Sequence, residues 1–116
     1  MSFELQFTPT AEQTYSSLKI AAAQALESRK KSKRAKASKQ EGLFKQVYKP
    51  LELLANNPRH PGLQTHEYDA IQNPHKPNEK VFEAYAQNQT PGAYRVFWCY
   101  GPEKNQLTII AITPHP

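Results

Sequence analysis

Tyr94-Arg95-Val96-Phe97-Trp98-Cys99-Tyr100 is the stretch that decides the fold class. It is rich in aromatic and β-branched residues, which suit a pleated, half-buried surface, and it reads as a strand. Two further runs of the same character flank it. Val81-Phe82-Glu83-Ala84-Tyr85 precedes it, and Leu107-Thr108-Ile109-Ile110-Ala111-Ile112 follows it. Thr90-Pro91-Gly92 and Gly101-Pro102-Glu103-Lys104-Asn105 separate the runs and supply the turn chemistry of hairpin connections. The C-terminal half is therefore expected to be a set of consecutive antiparallel strands.

Upstream, the period changes. Phe3-Glu4-Leu5-Gln6-Phe7 alternates apolar and polar, the pattern of one more half-buried strand, stopped at Thr8-Pro9-Thr10. Thr10 with Gln13 three residues on fits a capping box for a first helix. Tyr15, Leu18, Ala22, Ala25 and Leu26 then recur at helical spacing, and the helix is expected to continue into a basic stretch with Gly42 as its break. Leu43, Phe44, Val47, Tyr48, Leu51, Leu54 and Ala55 form the apolar face of a second helix. Pro50 lies inside that pattern and should kink or split it; Asn56-Asn57-Pro58 ends it. Pro58 to Gly62 is a turn-rich loop, a short strand is possible around Thr65–Tyr68, and Gln72 to Lys80 is a polar loop. Strand, two helices, then hairpin-linked strands predicts an α+β domain. Two N-terminal helices should pack on one face of a small, mostly antiparallel sheet. No internal repeat is visible, and residues 1–116 read as one domain with a basic extended helix or linker at about 29–42.

Charge and composition narrow the classes. The 116 residues carry 15 Lys and Arg against 10 Asp and Glu, a formal net charge of +5. Nine of those 15 basic residues fall between Arg29 and Lys49, and Glu41 is the one acid among them. A local field of that kind favours a polyanion such as RNA, DNA or an acidic protein, with a plain solvated helix face as the alternative. Lys30, Lys31, Lys33, Arg34, Lys36 and Lys39 are the candidate contacts. With one Cys no intrachain disulfide can form, and the reducing cytoplasm is the expected location. No apolar run approaches the length of a membrane span, and the first residues lack the pattern of a signal peptide. Four His and one Cys are present, but none has Cys-x-x-Cys or His-x₃-His spacing, so no metal and no cofactor is expected. Cys99, inside a strand, is expected to be a buried packing residue.

The order of elements, and certain words within it, resemble the RelE/ParE superfamily of bacterial toxins from type II toxin–antitoxin systems. The words are Leu51-x-x-Leu54-Ala55-x-x-Pro58, Leu63-x-x-His66-x-Tyr68, the strand Tyr94-Arg95-Val96-x-Trp98, and Ile112-x-x-His115 near the C-terminus. The resemblance implies two helices beside a strongly twisted sheet. It also implies a cognate antitoxin as partner, in a heteromeric complex or alongside a homo-oligomer. The target would be mRNA on the ribosome, cut without metal, as in the RelE branch, or DNA gyrase, as in the ParE branch. This chain departs from the pattern in three places: a longer and more basic link between the helices, Ala84 and Tyr85 where active ribonucleases often carry a base, and a C-terminal Pro114-His115-Pro116.

Metal-free RNA cleavage needs a base for the 2′-hydroxyl, an acid for the leaving 5′-oxygen, and cations for the phosphate. His115 is the first acid or base candidate, because imidazole serves either role near neutral pH. Arg95 is the candidate phosphate clamp, on the strand face opposite Tyr94, Val96 and Trp98. Its structural alternative is an ion pair. His66 with Glu67 is a further acid–base candidate, weakened because neighbours on a strand face opposite ways. Arg59, with His60, lies in the loop and could meet RNA. Tyr94, Tyr85 and Tyr100 could stack a base, although strand aromatics are more often core. Two other readings stand beside the ribonuclease: a non-catalytic or gyrase-type module of the same fold, and a plain nucleic-acid-binding protein using the Arg29–Lys49 segment.

Overall fold

A computed structural model describes residues 2–33, 36–86 and 93–114. β1 (Glu4–Phe7) leads directly into α1 (Pro9–Lys31). The cap is Thr8, not Thr10. Its hydroxyl accepts from the Ala11 amide at 3.2 Å and donates to the Ile110 carbonyl at 2.6 Å, so one side chain starts the helix and ties it to the sheet. Pro9 follows at the first helical position, where its missing N–H costs nothing. α1 ends at Lys31, short of the expected break at Gly42, and α2 (Lys39–Asn56) begins with a complete capping box. Ser38 Oγ accepts from the Glu41 amide, and Glu41 Oε2 accepts from the Ser38 amide at 2.7 Å. α2 is continuous across Pro50, so the expected split does not occur.

The sheet contains β1, β2 (His66–Glu67), β3 (Phe82–Tyr85), β4 (Tyr94–Tyr100) and β5 (Gln106–Pro114), in the order β1-β5-β4-β3-β2. All pairs are antiparallel except β1 with β5, which is parallel. The Gly101–Asn105 hairpin joins β4 to β5, with Gly101 at φ +107, a value that disfavours any side chain. The expected turn at Thr90-Pro91-Gly92 lies outside the described residues.

Alternation along the strands sorts the residues between two faces. Ala84, Val96, Trp98, Leu107, Ile109 and Ile112 face the helices and form one core with Ala11, Val47, Leu51 and Leu54. Tyr15 extends it, its ring 5.6 Å from both Phe7 and Phe44, so β1, α1 and α2 meet through one aromatic ladder. Glu83, Tyr85, Arg95, Phe97 and Cys99 occupy the other face. That face is not open. The Tyr68 ring lies 4.6 Å from Phe97, and His75 Nε2 lies 2.7 Å from Thr108 Oγ1, so the 68–81 segment folds back over it. Asn73 shapes this segment from within, its side chain bonding the amides of His75 and Lys76 and the carbonyl of Lys80.

Candidate functional site

Glu83 is the centre of the site. It is a carboxylate in a strand of apolar neighbours, and only 3% of it is exposed. Such a charge persists in the interior only when its oxygens are filled. Register supplies the partners: His66 stands directly across from Glu83 on β2, and Tyr85 directly across from Arg95 on β4. His66 Nε2 lies 2.7 Å from Glu83 Oε1, and the Tyr85 hydroxyl donates to the same oxygen at 3.1 Å. Arg95 Nη1 donates to Oε2 at 2.8 Å. Burial by itself would raise the Glu83 carboxyl. The hydrogen bonds from His66, Tyr85 and Arg95, with the Arg95 charge, outweigh burial and hold it below its ordinary value. Burial, followed by the adjacent Glu83, raises the Tyr85 phenol, which therefore stays protonated and donates.

This arrangement gives each group a distinct chemical capacity. The Arg95 side chain is 16% exposed, and its guanidinium carbon sits 4.9 Å from the Phe97 ring centre and 5.8 Å from that of Tyr68. It lies beside both rings and is paired with Glu83 at 2.8 Å. His66 is the group that reaches water, with 47% of its side chain exposed. An ionised Glu83 accepts a hydrogen bond from Nε2–H, which fixes the tautomer and leaves the free lone pair on Nδ1. Glu67, the partner expected beside His66, is instead bridged to Lys80 at 2.6 Å on the exposed side.

A groove of about 810 Å³ opens at Tyr85, between α2 and the 3₁₀ turn Pro61–Leu63. Lys45 and Lys49 stand on its α2 wall, one helical turn apart, with His60 and Gln64 opposite and no carboxylate among the described residues that line it. The His60 Nδ1 accepts from the Gly62 amide at 2.9 Å, which leaves Nε2–H as a donor.

The other expected residues fall in separate places. Lys30, Lys31, Lys33, Lys36 and Lys39 are exposed at the far end of the helical hairpin, while Arg29 in the same run is paired with Glu41 at 2.8 Å. Arg59 is exposed in the loop after α2, and Tyr94 is half-buried against the core. Arg34 and His115 lie outside the described residues. Cys99 is fully buried, and burial pushes its thiol up to about 11. Among the described residues no three His, Cys, Asp or Glu side chains gather as a metal would require, and no helix is long and apolar enough to cross a membrane. Glu83, Lys45 and Lys49 are additions to the expected site. The sequence signal for Glu83 was an acid at the centre of an otherwise apolar strand, a position that demands a buried partner.

No family model matches the chain, and no curated protein matches it in sequence. Its backbone does match a solved structure, the archaeal RelE–RelB complex from Pyrococcus horikoshii OT3. The match has a TM-score of 0.57 and 10% identity, and covers 99% of this chain and 97% of that one. The fold is RelE-like. Within this RelE-like fold the helices take one face of the sheet. The Glu83 cluster takes the other, at the short edge strand β2. The expected α+β architecture is thus found, with the helical hairpin on a five-stranded sheet that is antiparallel but for β1.

Proposed function

We propose that the chain is the toxin of a type II toxin–antitoxin pair and acts as a metal-free endoribonuclease on mRNA at the ribosome. The observation that carries this is the half-exposed His66 imidazole held at 2.7 Å by the buried Glu83 carboxylate. His66 Nδ1 removes the proton from a ribose 2′-hydroxyl, and that oxygen attacks the adjacent phosphorus. The bond to the 5′-oxygen breaks, and His115, the acid candidate beyond Pro114, returns a proton to it. Glu83 stabilises the imidazolium; Arg95 and Tyr85 position Glu83. Lys45 and Lys49 offset the phosphate charge. A protein antitoxin restrains the activity, as the RelE–RelB pairing of the structural relative suggests.

The engagement of Arg95 by Glu83 favours a second reading, a non-catalytic or gyrase-type module, because it removes the expected phosphate clamp from the open surface. Induction of the wild-type and His66→Ala chains in a bacterium separates the two. Growth arrest with new mRNA 5′ ends in wild type, both lost in His66→Ala, supports the ribonuclease. Arrest with DNA damage and intact mRNA supports the gyrase-type module.

A further inference from the structure

Three depressions run in sequence along one side of the molecule. The Lys45–Lys49 groove shares His60 and Gln64 with a second hollow of about 550 Å³, which is lined by Arg59, Phe82, Trp98 and Tyr100. That hollow shares Phe82 and Tyr100 with a third of about 470 Å³, bordered by Lys76, Lys80 and Lys104. Among the described residues, two acids, Glu79 and Glu103, line the third hollow, and none lines the other two. Basic residues and aromatic rings therefore alternate along a continuous path beside the β2 edge.

The aromatic centre of this path is a built platform. Phe82 stacks on Trp98 at 4.8 Å, and Tyr100 meets Trp98 edge-on at 5.1 Å and Phe82 at 5.9 Å. Trp98 is 1% exposed and anchors the group, whereas Tyr100 is 44% exposed, a large ring surface left in solvent. Two buried polar atoms of the middle hollow, Thr65 Oγ1 and Trp98 Nε1, have no hydrogen-bond partner among the described residues.

We propose that this path is a single-strand RNA track, with a base stacked on Tyr100 and the flanking phosphates on Arg59 and the lysines at either end. Aromatic faces interleaved with cations are what an unpaired strand requires, since every base has a π-face and every linkage a negative charge. A duplex hides its bases and gains only the charge. The track deepens the ribonuclease reading and rests on it for RNA over DNA; Thr65, which lines the middle hollow, immediately precedes His66 in the chain.

The test is fluorescence anisotropy with the purified chain and a labelled, 2′-O-methylated oligouridylate, which cannot be cut, beside a blunt RNA duplex of equal length. The single strand should bind more tightly than the duplex. Tyr100→Ala should weaken single-strand binding at least about fivefold while leaving duplex binding unchanged, and Tyr100→Phe should restore it. Arg59→Glu, on an exposed loop, should weaken the single strand and lower its salt dependence, and it serves if Tyr100→Ala fails to fold. Equal affinity for strand and duplex, or wild-type affinity in Tyr100→Ala or in folded Arg59→Glu, overturns the track. Because the probe is uncleavable, a chain that cuts mRNA without needing Tyr100 loses the track alone. A chain that binds through Tyr100 but cuts nothing keeps the track and loses the ribonuclease.

Discussion

Glu83 accepts from three side chains with two oxygens, and each of those side chains depends on it in turn. Removing it leaves the Arg95 guanidinium inside the protein without a counter-charge, a change that typically costs about 3–5 kcal/mol. Glu83→Ala should therefore lower unfolding free energy by about that amount in urea titration. Arg95→Ala should cost a comparable amount from the opposite side of the pair. The sequence showed Arg95, His66 and Tyr85 as candidates but left them unconnected. Two facts joined them, and neither is written in a local pattern. One is the β2–β3 register, set by a pair of two-residue and four-residue strands separated by a long loop. The other is the return of the 68–81 segment over the sheet, which turns an outward face into a buried one. Arg95 was placed on the correct face by alternation alone, yet its partner depends on which residue β3 brings opposite.

At the scale of elements, the link between α1 and α2 is fixed by Glu41. It caps α2 through Ser38 and takes two guanidinium nitrogens of Arg29 on α1. The Arg29 hydrogen bond first, and the Ser38 amide second, hold its carboxyl at about 2, below its ordinary value of 4.5. A depressed carboxyl stabilises the fold fully above its unfolded value, and that contribution is lost as pH falls from about 4.5 through about 2. Thermal melts of wild type and Glu41→Gln should therefore differ at pH 7 and converge as the pH approaches 2. The Ser38-x-x-Glu41 spacing was in the sequence, but the basic run around it drew the helix break to Gly42. A reciprocal cap outweighs one interior glycine, so α2 starts before it. Gly42 has nothing within 4 Å of where a Cβ would stand. Gly42→Ala should accordingly raise stability by about 0.5–1 kcal/mol in the same urea titration.

At the scale of the whole molecule, positive charge occupies two regions. One is the end of the helical hairpin with Lys30, Lys31 and Lys39; the other is the path from Lys45 and Lys49 past Arg59 to Lys76 and Lys104. Fold class was legible because three consecutive strands of apolar and aromatic residues follow two amphipathic helices, and few architectures bury both. The parallel placement of β1 against β5 was not legible, since it joins the two ends of the described chain and no short-range signal sets it. In the proposed reaction His66, held by Glu83, starts cleavage by taking the proton of a 2′-hydroxyl. The chemistry of the cut ends reports on that step. In mRNA recovered from cells expressing the wild-type chain, upstream fragments should end in 2′,3′-cyclic phosphate and downstream fragments should begin with 5′-hydroxyl, with neither formed by His66→Ala. Fragments carrying 5′-phosphate, or unchanged cutting by His66→Ala, would contradict it.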